Sequence, residues 1–484
     1  MPSFWSIKNI RTQIAILLAA ALCIEGLMRT NLNMAMVCMV NRTALLQLKS
    51  KVESPKNTTT VVNPCRKLPS ESRKGYSGEF IWTSEEQGWI FAAFYGGSLF
   101  IVIPGSYLCD YFGPTLVVQY GSVTNIIGSF ITPAVSKYGG VYPMIIVRFL
   151  MGCGQGVLVP CMTVLIAHWF PKSEKSTAIA VATTGNQLSI ILAMCFTAEL
   201  CQIPLFGGWP LAFYIYGVLG IGFCIAWQLY VNDIPTGSKE ITDIELIYIT
   251  GTLVGRGQKR LQPKVPWKKI LKSVTIWSIA LNSFAQSFAL VGMITYLPLY
   301  YRSILNMDLT SNGVLSAMPF VIQFITKVIF ASLADEAKKH GFTVNFVTKF
   351  CNLFASLGTA ACYLLLMLFD CSQQWKAVIF VSLSMGLISG FIPGYNTSIV
   401  SVAPIYTSSI ASFCRLWATL ASIASPYLIG LLVKEVIFII YSLIYYLFIS
   451  VIKSDLSFID IFFFRYRIDY KLVPIFCFTA YDRL

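Results

Sequence analysis

Runs of about 20 apolar residues with few or no charges recur along this chain, and a run of that length crosses the hydrocarbon core of a bilayer as a helix. Ile14–Ala21, Phe91–Pro104, Ser189–Phe196 and Leu364–Phe369 all lie inside such runs. Lipid offers no partner to backbone N–H and C=O groups, so segments of this kind must satisfy them internally, as helices do. Spans are expected near 14–40, 86–108, 115–135, 143–168, 176–200, 209–231, 273–300, 310–333, 344–369, 375–395 and 405–433, with a twelfth run starting near Val436. Charged residues make up only 12% of the 484, about half the share of a soluble domain. A soluble enzyme, a disordered chain and a secreted disulfide scaffold are thereby excluded. The expected class is an all-α, multi-pass membrane protein.

The formal net charge of +14 does not point to nucleic acid, because the basic residues lie in the gaps between apolar runs rather than on one face. Most of the 14 cysteines fall inside apolar runs, where a thiol behaves as a small hydrophobe. With two histidines and no Cys-x-x-Cys pair, neither a metal site nor a cofactor is expected. The first run is too long for a signal h-region, so no cleavable signal peptide is expected.

Two hydrophilic segments organise the chain. Segment 41–86 holds the sequons at Asn41 and Asn57, which require a luminal or extracellular loop if they carry glycans. Segment 232–272 carries eight Lys/Arg and falls on the opposite side by parity, in the cytoplasm. Lys8, Arg11, Lys172, Lys175, Lys338 and Lys339 on that side outnumber Lys137, Arg302 and Lys376 on the other. The bias places both termini in the cytoplasm. The expected organisation is a first six-span half (1–231), a cytoplasmic connector (232–272), a second half (273–433) and an atypical tail (434–484). An internal repeat supports two halves: Gly88 to Asp110 matches Gly313 to Asp335, and Gly152/Gly156 is echoed by Gly386/Gly390. Repeated halves are the plan of a transporter with a site near the midplane.

A charge inside a membrane span is costly and is a functional hypothesis by default. Glu25, Arg29 and Asn33 are spaced i, i+4, i+8 on one helix face. Either Glu25 and Arg29 neutralise each other, or Arg29 faces a wet cavity and Glu25 tunes or couples it. Arg148 opens a stretch with Gly152, Gly154, Gln155 and Gly156. Either backbone carbonyls lock it, or its planar fork clamps an anion. Arg415 lies deep in the eleventh span. Lys327 and Lys349 lie nearer the cytoplasmic ends, where lysines snorkel. Gln187, Gln286, Tyr296, Tyr395 and Asn396 complete a polar lining. Pro393 and Gly394 break the tenth span, where a gate could bend. Asp110 and Asp335 sit at loop mouths, placed to hold the cytoplasmic side shut. Glu25 is the one clear mid-span acid, so the intramembrane charge is cationic and favours an anionic substrate.

These residues also carry a likeness. The Gly105, Asp110, Gly113 loop and the Arg148, Gly152, Gly154, Gly156 stretch resemble motifs of the major facilitator superfamily. More narrowly, the chain resembles the anion symporters that include type I sodium–phosphate cotransporters, sialin and vesicular glutamate transporters. The stretches concerned are Arg29–Val37, Gln87–Trp89, His168–Pro171, Val265–Ser273, Asn312–Pro319 and Ser425–Pro426. The resemblance implies two six-helix bundles working by alternating access, with Arg29 and Arg148 at the arginines tied to anion binding. It also marks departures: Gln155 replaces the glutamate of proton-coupled members, and Phe91 and Gln286 replace a histidine and an arginine of the glutamate transporters. The Gly-Pro-rich antiporter motif is missing from Thr183–Ala193, which favours symport or facilitated transport. After Leu432 the likeness stops. The last 50 residues include 24 Ile, Phe or Tyr and no Gly, and read as an alternative or mispredicted end in place of the usual twelfth helix.

The expected function is a secondary-active carrier of small anions, phosphate or organic, with a co-transported sodium ion or proton. The expected partners are substrate and lipid, the expected state monomeric, and the expected site the plasma membrane or a lysosomal or vesicular one. A non-transporting sensor on the same fold is the alternative.

Overall fold

The computed structural model describes residues 9–41, 44, 78–171, 174–237, 241–253, 266–303, 305, 307–366, 368–369, 373–402 and 406–432. The expected twelfth span, the tail and the sequon at Asn57 lie outside the described residues. The described residues are helical apart from turns and one isolated bridge between Val40 and Phe80. In chain order the helices are α1 (Ile10–Met39), α2 (Ser84–Phe112), α3 (Pro114–Tyr138), α4 (Val141–Gly156), α5 (Leu158–Trp169), α6 (Lys175–Leu200) and α7 (Pro210–Tyr230). They continue with α8 (Asp243–Leu253), α9 (Trp267–Lys272), α10 (Val274–Ser303), α11 (Leu309–Lys339), α12 (Val344–Leu366), α13 (Gln374–Ile388), α14 (Thr397–Val402) and α15 (Thr407–Leu432).

Eight of the transmembrane segments among the described residues meet both length and hydropathy demands for a bilayer span. Three more, α2, α3 and α15, have 29, 25 and 26 residues, long enough to cross, and pack in the same bundle. The fourth span is α4 and α5 together, broken at Val157. The tenth runs through α13 into a 3₁₀ turn and a π turn at Ile392–Asn396, where Gly394 leaves helical geometry at ψ −117°. Pro393 supplies the break, since it cannot donate the helical hydrogen bond.

Local chemistry starts the helices. Thr83 and Glu86 form a reciprocal capping box at α2, with Thr83 N–H donating to Glu86 Oε2 at 2.7 Å. Asp308 caps α11 by accepting from Ser311 N–H at 3.2 Å, and that bond holds its carboxyl below the ordinary aspartate range. Pro114 and Pro210 open α3 and α7 at the first-turn position that needs no donor.

Buried side chains collect into two large cores. One draws on residues 10–231; the other draws mainly on residues 270–421 and reaches across to Met34, Ile190, Met194 and Ala198. The first core has an ionic lock at its base. Arg11 is fully buried, pairs with Glu174 and Glu245 (Nε to Oε1 of Glu245, 2.9 Å), and lies 4.7 Å from the Tyr248 ring. Glu245 also accepts the N–H groups of Ile10 and Arg11, each at 3.2 Å. The connector helix α8 is thereby docked on the start of α1.

The two cores meet at the end of the bundle that carries Val40 and Phe80. There a Cβ on Gly88 of α2 would lie 2.8 Å from the Pro426 carbonyl of α15, Trp89 packs on Tyr427 at 4.5 Å, and Phe91 meets Tyr296 edge-on at 6.1 Å. On the other flank Gly313 of α11 lies against Ala198 and the Met194 carbonyl of α6, and Gln202 donates to Thr310 at 2.7 Å. The remaining hydrogen bonds described between the cores lie at mid-depth, around Gln187.

Candidate functional site

Small residues bring the charged ones together. Gly152 on α4 sits directly against the Phe94 carbonyl of α2, and any side chain there would collide with it. That close approach sets Arg148, one turn earlier, over the Phe94 ring with its guanidinium carbon 5.0 Å from the centroid. Arg148 is 2% exposed. Its Nη2 donates to the Arg29 carbonyl at 3.0 Å, its Nη1 meets only the Met151 sulfur at 3.8 Å, and its Nε has no partner. A buried guanidinium without a carboxylate costs several kcal/mol in effective desolvation.

Arg29 is half-buried and donates through Nη2 to Asn186 Oδ1 of α6 at 3.0 Å. Tyr95 lies within electrostatic reach of both arginines. Glu25 does not neutralise Arg29. Four residues advance a helix by about 40° beyond a full turn, and Glu25 turns toward α3, where Asn125 Nδ2 donates to its Oε2 at 2.7 Å. Ser122, also on α3, is its other polar neighbour. The mutual-neutralisation alternative is therefore corrected: acid and base on the same stretch of α1 serve different neighbours. Asn33 is buried one turn further on.

The other expected lining residues scatter. Gln155 is half-buried with an unpartnered Oε1. Gln286 accepts from the Tyr395 hydroxyl, which ties α10 to the broken tenth span. Tyr296 commits its hydroxyl to the Pro426 carbonyl at 2.8 Å and belongs to the seal between the cores. Arg415 is exposed on α15. Of the gate candidates, Asp110 is exposed, and Asp335 pairs with Lys338 of its own helix at 3.0 Å, so neither bridges two elements in this conformation. Gly394 faces Asn352, whose Oδ1 accepts the Tyr395 N–H at 2.9 Å; a side chain there would displace that amide. Asn41 lies at the sealed end, its Oδ1 accepting from Ala44 N–H at 3.1 Å.

Lys327 corrects a second expectation. It does not snorkel: its Nζ donates to Gln187 Oε1 on α6 at 2.9 Å. Asn186, Tyr95 and Asn125 escaped the sequence reading because a neutral polar residue in a span announces no role until its neighbour is known. The signal that was present is the polar run Thr183-Thr184-Gly185-Asn186-Gln187 in the middle of an expected span. Among the described residues no group of three His, Cys, Asp or Glu could hold a metal ion.

A transmembrane bundle whose mid-depth arginines, half-buried Arg29 and buried Arg148, have no acidic partner among the described ion pairs can be set against known proteins. Residues 18–426 match the model of the Major Facilitator Superfamily. The chain belongs to that superfamily. Among its relatives is human sialin, 28% identical over 418 residues, covering 86% of this chain and 81% of sialin. A Drosophila melanogaster protein that carries the name of an inorganic phosphate cotransporter is 28% identical over 413 residues, covering 84% and 75%. The fold matches the E. coli xylose transporter XylE in an inward-open conformation (TM-score 0.65, 11% identity, 92% and 94% covered). It also matches a bacterial homologue of the human lysosomal transporter Spinster (TM-score 0.64, 13% identity, 93% and 96% covered). The superfamily member is thus an integral, multi-pass membrane transporter.

Proposed function

We propose that this transporter carries small anions, inorganic phosphate or an organic acid, by alternating access between the two halves 1–231 and 273–433. The observation that carries the reading is Arg148: a fully buried cation whose partners are a carbonyl, a sulfur and a ring. An anion placed between Arg148 and Arg29 supplies the missing countercharge, and the guanidinium fork fits a carboxylate or phosphate. The names of the fly relative and of sialin agree with an anion carrier. Glu25 is the coupling residue of this reading, because its buried carboxyl faces only neutral groups, Asn125 and Ser122, and no described ion pair holds it. The seal at the Val40 end leaves exchange to the end carrying Ile10 and Lys339, which the loop charges assign to the cytoplasm. The membrane of this reading is the plasma membrane or a lysosomal or vesicular one.

The test is uptake of labelled phosphate, glutamate, sialic acid and urate into proteoliposomes, with sodium, proton and voltage gradients imposed separately. Saturable uptake of one anion is expected, with at least about 100-fold loss of Vmax/KM in Arg148→Ala, the size of losing a charge-assisted contact and its orientation together. Specific binding of an anion without flux would replace the carrier with a sensor. Unchanged uptake in Arg148→Ala would move the site elsewhere.

A further inference from the structure

Lys327 stands about 18 Å of helix from the nearer end of α11, 12 residues before Lys339. Its side chain is half-buried and crosses to the other half of the molecule to reach Gln187 Oε1. Gln187 is itself held from across the divide, its Nε2 donating to Gln323 Oε1 at 3.0 Å and to the Phe320 carbonyl at 3.2 Å. The preceding residue, Asn186, holds Arg29 in the same manner. Two adjacent amides on α6 therefore detain two cations, one from each half. The ion pairs described include no carboxylate for either cation. An amide oxygen satisfies an N–H group but leaves the charge uncompensated, and a hydrogen bond to an anion is about twice as strong.

We propose that Lys327 is a substrate-contacting residue of the second half: an arriving anion takes Lys327 from Gln187 as it takes Arg29 from Asn186. The neutral bridge between the halves is exchanged for an ionic one through the substrate, so occupancy and the relation of the halves become linked. This rests on the anion-carrier reading above. A purely structural tie between α6 and α11 would require only a donor at 327, not a charge.

The experiment uses the purified full chain in proteoliposomes with labelled phosphate, glutamate, sialic acid and urate, and in parallel reads the shift of its melting temperature with each anion. Lys327→Gln keeps a donor and removes the charge. Its KM is expected to rise about tenfold or more, with the anion-dependent melting shift lost. Lys327→Arg is expected to restore KM to within about threefold. Gln187→Leu removes the competitor for the lysine and is expected to lower KM or leave it, with Vmax falling as the tie is lost. Equal KM for Lys327→Gln and wild type, or an anion-dependent melting shift that survives in Lys327→Gln, would overturn the proposal while leaving the carrier reading intact. A wild-type chain showing neither uptake nor an anion-dependent melting shift would remove the carrier reading and this proposal with it.

Discussion

At the scale of single residues, the chemistry of this membrane protein lies in which polar groups face one another. Glu25 and Arg29 are one turn apart on α1, yet Asn125 takes the first and Asn186 the second. Glu25→Gln keeps an acceptor for Asn125 and removes the titratable proton. Gradient-driven accumulation is expected to fall at least about tenfold while anion counterflow across the same vesicles persists, because exchange needs no net cation movement. Counterflow and accumulation falling together would make Glu25 a structural acceptor only. Asp308 gives a stability prediction. Its folded pKa is depressed by the Ser311 N–H, so its contribution is present at neutral pH and fades in acid as the pH falls through that folded value. Asp308→Ala is expected to cost about 1 kcal/mol at neutral pH, and less in acid, read from the melting temperature in detergent across pH.

At the scale of elements, the apolar runs made the spans legible, because a bilayer leaves the backbone no alternative to helix. Neutral packing partners were less legible: nothing in the sequence says that Gly152 meets Phe94 or that α6 lies between α1 and α11. Arg11 shows the same limit. As sequence it is one more basic residue before a span; in the structure it is buried between Glu174 and Glu245 and docks the connector helix α8. Breaking a buried pair on one side leaves a charge unpaired, at about 3–5 kcal/mol. Glu174 still holds Arg11 in Glu245→Gln, so the lower part of that range is expected there and the upper part in Arg11→Met, which strands two carboxylates. Thermal unfolding followed by tryptophan fluorescence checks the order; equal and negligible losses would make the lock a surface contact.

At the scale of the whole molecule, the described contacts between the cores lie at one end or at mid-depth, which is one of the two arrangements alternating access requires. Gly88 and Gly430 approach closely enough that a Cβ on the first would lie 3.3 Å from the Cα of the second. With accessible native cysteines replaced, the pair Gly88→Cys and Gly430→Cys is expected to cross-link under mild oxidant and to abolish uptake, with reductant restoring it. Cross-linking that leaves transport unaffected would show that this end does not open during the cycle. The repeat in the sequence pointed to two halves, and the described buried side chains collect into two large cores. Which end is shut was not written in it, because both conformations must be stable for the same amino acids.

The two glycines that began that repeat have a consequence of their own. Gly88 carries α2 onto α15, and Gly313 carries α11 onto α6. The two glycines hold matching places in the sequence repeat, and each lies against a helix of the other half, so the seal has two like flanks. Such a joint cannot give way on one flank alone without wedging the other. Loosening one flank is therefore expected to load the other, so that the two flanks of the seal part and close together.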